Sequence, residues 1–441
     1  MFANSPILGA LRHRPFGTLW AGQVCSQIGD GLYHIALIWW VLSKSGSGFD
    51  LALVLACSYI PSLLFAVWGG LLADRLPRTR VMAVCDVLRG ALMLLVALLA
   101  FGGGLELWHL YLVAALLGTA EAFFTPAYDA AVPWVAPATL LAGANALRSI
   151  GYDTSDIAGM TIGGLAIAAW GPALIFLLNA ATFFVAAGCA LAAGLIAGER
   201  RLVRAPAGET SESLLHEAAA GLRVVRDTPW LRVGIVACML LNILQNAIMI
   251  IGLPLLVAAR PGAQPYDLGV MLALVAGGSL VVAVVLGQFE LPAQRLNLMF
   301  YGSAIVGGLA MLGFGLADAW WMCAAGAAIY GGTLTAGSLA WTRALQLSVP
   351  DAVFGRVSAV DNAVSWVFGP LGVLLAGALM NDATAAAVLT IGGASSVAVA
   401  LVGLRLRATL AMDGAIIDSR FDSAPQPASR QAARAAHRAG C

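Results

Sequence analysis

Residues 70–80 read GLLADRLPRTR, a short charged segment between two apolar runs that are each long enough to cross a lipid bilayer. A transmembrane helix needs about 20 apolar residues, and a short loop with several arginines stays on the cytosolic side of the membrane. This segment therefore predicts two transmembrane helices joined by a cytosolic loop, and it favours a transporter over an enzyme.

The composition of the 441-residue chain extends this prediction to the whole protein. Hydrophobic residues make up 60% of the chain and charged residues 11%, which is typical of a multi-pass helical membrane protein. The apolar runs are continuous, whereas the strands of a membrane barrel alternate apolar and polar residues. A net charge of +1 gives no electrostatic basis for a nucleic-acid partner, and the seven cysteines show no metal-ligand spacing. We therefore expect no metal, cofactor or disulfide.

Hydropathy and flanking charge predict an all-α integral membrane protein with twelve transmembrane helices. The predicted spans are 17–42, 50–73, 80–101, 107–127, 145–168, 173–197, 231–257, 268–287, 296–317, 320–344, 357–379 and 383–404.

These spans predict two six-helix domains. The predicted parts are a cytosolic N-terminus (1–16), an N-terminal bundle (17–197), a cytosolic linker (198–230), a C-terminal bundle (231–404) and a disordered cytosolic tail (405–441). With both termini in the cytosol, all of the 24 basic residues except Lys44, Arg89 and Arg260 lie on the cytosolic side. This asymmetry supports the twelve-span topology.

The two halves of the chain also match each other at a constant offset of 217 residues. This offset carries Gly70 onto Gly287, Arg78 onto Arg295, Val132-Pro133 onto Val349-Pro350 and Asn145-Ala146 onto Asn362-Ala363. Six spans return the chain to its starting side, so a duplicated unit predicts two parallel bundles with a substrate site between them near the middle of the membrane.

The segment at 70–80 resembles the signature of the major facilitator superfamily between the second and third spans, on Gly70, Asp74, Arg75, Arg78 and Arg80. Four further stretches resemble the branch with macrolide efflux proteins and the enterobactin exporter. They are RPFGTLWAGQVCSQIGDG, RVMAVCDVLRG, GLRVVRDTPWLR and LQLSVPDAVFGRV. The resemblance implies a proton-driven exporter of a small molecule (a drug, a macrolide-like compound or a siderophore) in a bacterial inner membrane, functional as a monomer.

Carboxyl groups inside the membrane are the candidates for proton coupling, because a charge in lipid is costly unless it is paired, hydrated or protonated. Asp30 lies near the middle of the first span, with Tyr33 and His34 on the same helical face, and His34 is a further coupling candidate. Asp153 and Asp156 lie three residues apart on the fifth span, so they cannot both ionise cheaply. Hydrogen-bonded structural roles, or fixed ion pairs with basic residues, are the alternatives that the sequence leaves open.

A second group of charges lies near the cytosolic ends of the spans and is a candidate gate. In the superfamily, a charge cluster at this position holds the cytosolic side shut, and helix-end solvation is the alternative. The gate candidates are Gly70, Asp74, Arg75, Arg78, Arg80, Asp86, Arg89 and Glu121.

Polar residues on the first, seventh and eleventh spans are candidates for the substrate cavity. Interhelical hydrogen bonds are the alternative role for polar side chains in lipid. The cavity candidates are Tyr33, Asn242, Gln245, Asn246, Asp361, Asn362 and Trp366.

Three other functions compete with proton-driven export. An importer of a metabolite or siderophore would use similar acids, and a non-transporting receptor would keep the fold without the transport cycle. An enzyme is disfavoured, because the sequence shows no nucleotide-binding loop, metal spacing or nucleophile elbow.

Overall fold

The computed structural model describes residues 6–198, 222–289, 292–317, 319–406, 409 and 412, and these residues form a bundle of long helices. The helices are α1 (Pro6–Arg12), α2 (Arg14–Ser45), α3 (Gly48–Arg75), α4 (Arg78–Phe101), α5 (Leu107–Val135), α6 (Leu141–Ala197), α7 (Pro229–Ala258), α8 (Pro265–Leu286), α9 (Leu296–Leu316), α10 (Trp320–Ser348), α11 (Asp351–Leu379) and α12 (Ala385–Arg405). Most of the predicted linker and tail lies outside the described residues.

Helix α6 contains two of the predicted spans without a loop between them. Gly171 bends the helix with φ 75° and ψ 166°, a backbone conformation open almost only to glycine, and Pro172 follows it. The bend therefore divides α6 into a first arm (141–170) and a second arm (172–197), each about the length of a transmembrane span.

With the two arms of α6 counted separately, the described residues contain membrane-length segments in α2–α12 that are consistent with the twelve predicted spans. Among the described residues, nine helical segments are long and apolar enough to cross a membrane, and α2, residues 141–161 of α6 and α10 are not among them.

The predicted duplication is visible in the helix packing. Helix α3 packs on α5 as α8 packs on α10, and α4 packs on α6 as α9 packs on α12. A Cβ atom on Gly118 would meet the Ser58 carbonyl oxygen at 1.9 Å, and one on Gly331 would meet the Val275 carbonyl oxygen at 1.7 Å. Ser58 and Val275 are separated by the repeat offset of 217 residues, whereas the two glycines are 213 residues apart, so the halves use similar close glycine contacts about one helical turn apart. The prediction of two parallel-related bundles is confirmed.

Two seams join the halves, one between α3 and α11 and the other between the first arm of α6 and α8. A shift by six spans converts one seam into the other. A Cβ atom on Gly377 would lie 2.3 Å from the Ala52 Cβ atom, and one on Gly164 would lie 3.0 Å from the Gly269 Cα atom. Both close contacts lie toward the end of the molecule that contains Gly46, which we call the closed end.

The apolar core shows that the halves separate at the other end. At the closed end, one cluster of buried side chains draws on both halves, with Leu51 and Phe176 from the first and Ile251 and Met271 from the second. At the opposite end the core divides into one cluster in each half. This end, which we call the open end, carries the loop with Arg78.

Candidate functional site

Asp30 occupies a partly exposed position about halfway along α2. The Asn179 side-chain amide, on the second arm of α6, donates a hydrogen bond of 3.4 Å to the Asp30 Oδ1 atom. The preceding residue, Gly29, makes this approach possible, because a Cβ atom there would lie 2.2 Å from the Thr182 Oγ1 atom. The glycine thus lets α2 lie against α6 and brings the carboxyl group to its amide partner.

Arg89 of α4 lies in the interior of the N-terminal half, with only 5% of its surface exposed. Its guanidinium group forms an ion pair with Glu121 of α5 and lies 3.7 Å from the Asp86 carboxyl group. The guanidinium carbon also lies 4.2 Å from the centre of the Phe124 ring, a cation–π contact. Asp86 is fully buried, and neither of its carboxyl oxygens has a hydrogen bond among the described residues.

The charge of Arg89 also acts on Asp30, although the two side chains form no ion pair among the described residues. We call Asp30, Asp86, Arg89 and Glu121 the Arg89 cluster. Asp86 and Arg89 are buried, whereas Asp30 is partly exposed and the Glu121 side chain is half exposed. Three ionised carboxyl groups and one guanidinium group would give the cluster a net charge of −2. Uncompensated charge at the buried positions is costly, so the cluster favours the uptake of protons or of a cation.

Three of the predicted gate residues, Asp86, Arg89 and Glu121, are in contact with one another, whereas the coupling candidate Asp30 is hydrogen-bonded to Asn179. The contacts given above for Arg89 all lie within the N-terminal half, and none of them crosses to the other half. The coupling candidates Asp153 and Asp156 have side chains outside the described part of the structure.

Two neighbours of Asp30 on α2 point in different directions. Tyr33 is buried, and its ring packs against the Phe176 ring with 6.1 Å between centroids, so it belongs to the core and not to an open cavity wall. His34 is exposed.

The other gate candidates lie at the open end. Arg75 and Arg80 are exposed, and Arg78 donates a hydrogen bond of 3.0 Å to the Ala130 carbonyl oxygen of α5. A Cβ atom on Gly70 would find no atom of the described residues within 4 Å, so nothing described packs against this face of α3. The side chain of Asp74 lies outside the described part of the structure.

The C-terminal half contains a cavity of about 250 Å³ between α7, α9, α10 and α11. It is lined by Cys238, Leu241, Asn242, Gln245, Asn246, Phe300, Ser303, Ala304, Thr333, Leu334, Gly337, Ser338, Trp341 and Asp361.

Four of the predicted cavity residues meet in this cavity. Asn242, Gln245 and Asn246 lie in a π-helical turn within α7, a distortion often found at functional sites. The Trp341 indole nitrogen donates a hydrogen bond of 2.9 Å to the Asp361 Oδ2 atom. Asn362 is exposed and does not line this cavity. The side chain of Trp366 lies outside the described residues.

Gln245 has a structural role beside its place in the cavity wall. Its side-chain amide donates to the Ala304 carbonyl oxygen at 2.7 Å and to the Ser396 Oγ atom at 3.1 Å, which links α7 to α9 and α12. Both the predicted role and its alternative, an interhelical hydrogen bond, therefore apply to this residue.

Sequence reasoning missed Asn179 and Trp341. Asn179 is the only polar residue before Thr182 in the apolar run LIFLLNAATFF, and that isolation is a signal for a buried hydrogen-bond partner. Trp341 lies far from a predicted span centre and offered no comparable signal.

Residues 5–434 match the family described as transmembrane secretion effector. The chain belongs to this family. It is 26% identical over 385 residues to macrolide efflux protein A of Streptococcus pyogenes, across 83% of this chain and 89% of the relative. It is 28% identical over 413 residues to the multidrug efflux pump Tap of Mycobacterium tuberculosis, across 90% and 93% of the two chains.

The fold also has a solved counterpart. A bacterial homologue of the iron transporter ferroportin, in an inward-facing state, superposes with a TM-score of 0.66 and 15% identity, over 89% of this chain and 99% of that one. The family and these relatives are membrane transporters and not enzymes. The protein is thus a multi-pass transporter of the major facilitator superfamily, as the resemblance implied.

Proposed function

We propose that the protein is a secondary active transporter that exports a small hydrophobic or amphipathic molecule in exchange for protons. The observation that carries this proposal is the Arg89 cluster, in which the buried guanidinium group pairs with Asp86 and Glu121 and Asp30 lies in the same half. Such a cluster can hold and release protons as its access to water changes.

The orientation follows from the distribution of arginines. Arg75, Arg78 and Arg80 lie at the open end, and short basic loops stay in the cytosol. On this basis the open end faces the cytoplasm of a bacterial cell, both termini are cytoplasmic, and the described conformation is inward-facing. The full fold and its cavity lie in one chain, which supports function as a monomer.

The transport cycle that fits this geometry is alternating access by rocking of the two halves about their seams. In the inward-facing state, the cluster releases protons to the cytosol and the molecule loads its cargo. In the outward-facing state, the gate residues Asp74, Arg75 and Arg78 close the cytosolic end, and protons from outside displace the cargo. The efflux activities named for both relatives support this direction.

The test is proton-dependent uptake of ethidium and of radiolabelled erythromycin into inverted membrane vesicles that contain the full-length protein. Asp30→Asn removes an ionisable carboxyl group but keeps its size, and we expect it to abolish uptake driven by a pH gradient. Asp227→Asn is the matched control, because Asp227 pairs with its neighbour Arg226 in an exposed position and should not affect transport.

Two outcomes would overturn the proposal. Uptake by Asp30→Asn equal to that of the wild type would remove Asp30 from coupling. Uphill uptake into right-side-out vesicles, with none into inverted vesicles, would instead support the importer.

A further inference from the structure

One carboxyl group on the wall of the C-terminal cavity has an oxygen atom without a hydrogen-bond partner among the described residues. Asp361 accepts the Trp341 hydrogen bond on its Oδ2 atom, but its Oδ1 atom is buried and has no hydrogen bond among the described residues. None of the described residues that line the cavity is Lys, Arg or His. The Asp361 carboxyl group therefore faces this space without a basic side chain on the wall to balance it.

Several of the other polar side chains on the wall have already used their hydrogens within the protein. The Ser303 hydroxyl donates to the Phe300 carbonyl oxygen at 2.8 Å, and the Thr333 hydroxyl donates to the Tyr330 carbonyl oxygen at 2.7 Å. Their oxygen atoms are left with lone pairs alone. The wall thus offers the acceptor oxygens of Asp361, Ser303 and Thr333, and their complement is a group that carries several donors.

Aromatic rings complete the wall. The Phe300 and Trp341 rings lie 5.5 Å apart between centroids and both line the cavity. The faces of such rings attract cations. A carboxyl group, acceptor oxygens and aromatic faces together favour a positively charged group with N–H donors.

We propose that this cavity binds a protonated amino group of the exported molecule, with Asp361 as its counter-ion. The inference rests on the proposed export function, since the amine would belong to the cargo. The cavity volume of about 250 Å³ lies below the range of about 300–1,000 Å³ for sites that hold a whole drug-sized ligand. The cavity thus holds one amine-bearing substituent while the rest of the cargo extends toward the space between the halves.

The test compares two small-molecule probes that differ only in whether they carry an amino group or a hydroxyl group. Tryptamine carries an ammonium group at neutral pH, and tryptophol carries a hydroxyl group at the same position. Binding of both is measured by scintillation proximity on the purified full-length protein in lipid nanodiscs. We expect tryptamine to bind at least about tenfold more tightly than tryptophol, because a hydrogen bond to a charged group is stronger than a neutral one.

Asp361→Asn should weaken tryptamine binding at least about tenfold and leave tryptophol binding unchanged, whereas Asp361→Glu should retain most of the selectivity. Asp227→Asn should behave as the wild type. Equal binding of the two probes, or unchanged tryptamine binding by a folded Asp361→Asn variant, would overturn the proposal.

A second measurement on the wild-type protein does not depend on any variant. Cys238 lines the cavity, whereas Cys25 and Cys57 lie in the other half. Tryptamine should slow the alkylation of Cys238 by N-ethylmaleimide, measured by mass spectrometry, and should not protect Cys25 or Cys57. Absence of selective protection would count against the site.

The two proposals can fail separately. Selective tryptamine binding without transport driven by a pH gradient would reject proton antiport and keep the amine site. Proton-driven export with no preference for tryptamine would reject the amine site and keep antiport.

Discussion

Replacement of Arg89 by glutamine should destabilise the protein strongly, because Arg89 is the cation of a buried cluster. Its guanidinium group forms ion pairs with Asp86, at 3.7 Å, and with Glu121, and it packs over the Phe124 ring. Glutamine keeps some of the packing and a hydrogen-bonding amide but removes the charge. The fully buried Asp86 would then lack its cation.

The size of the effect can be estimated from this geometry. At 3.7 Å and an effective dielectric constant of about 20, the attraction between two unit charges is about 4 to 5 kcal/mol. Removal of one partner from a buried ion pair typically costs about 3–5 kcal/mol, since the other charge is left uncompensated. We therefore expect Arg89→Gln to lower the free energy of unfolding by about 3–5 kcal/mol.

The assay is reversible unfolding of the full-length protein in bicelles, followed as SDS is titrated. Arg148→Gln is the control, because Arg148 pairs with Asp129 at a much more exposed position, where an ion pair contributes about 0–1 kcal/mol. The double variant Arg89→Gln/Asp86→Asn should recover part of the loss, since it removes the stranded charge. If the two arginine variants lose equal stability, or if the double variant is no more stable than Arg89→Gln, the reasoning is refuted.

Three further predictions follow from packing. Gly171→Ala should lower stability by about 1–3 kcal/mol, since alanine is strained at φ 75°, and an unchanged melting temperature would contradict this. Gln245→Leu should cost about 1–3 kcal/mol through loss of its two interhelical hydrogen bonds, measured by the same SDS titration, and a stability equal to that of the wild type would show that these bonds contribute nothing. Gly377→Val should force apart α3 and α11 at the closed end, because its Cβ atom would lie 2.3 Å from the Ala52 Cβ atom. Spin-label distances across that end should lengthen, and unchanged distances would contradict the packing argument.

Most of the fold could be predicted from the sequence, because the bilayer directly determines which segments are apolar and on which side the arginines lie. The predicted span ends were less accurate where helices leave the membrane. Helix α5 continues to Val135 beyond the predicted end at 127, and α11 begins at Asp351 before the predicted start at 357. Hydropathy predicts which residues contact lipid, but a helix can continue into water beyond the last of these residues. The boundary predicted between 168 and 173 does coincide with the non-helical backbone at Gly171.

The candidate site was harder to predict, because it depends on how helices are rotated against each other. Helical spacing related Asp86 to Arg89 along α4, but it could not show that Glu121 of α5 pairs with Arg89 or that Asn179 of α6 bonds to Asp30. The same limit applies to Asp361, since its bond to Trp341 joins α10 and α11. Contacts between helices depend on the shapes of the packed surfaces and on where glycines allow close approach, and these cannot be read directly from a single sequence.

The two seams between the halves have a mechanical consequence. They lie on opposite flanks of the molecule and are copies of one another under the internal two-fold relation. When two stiff bundles rock as the proposed cycle requires, opening of the closed end separates both seams at once. A crosslink across either seam would therefore hinder the movement at both.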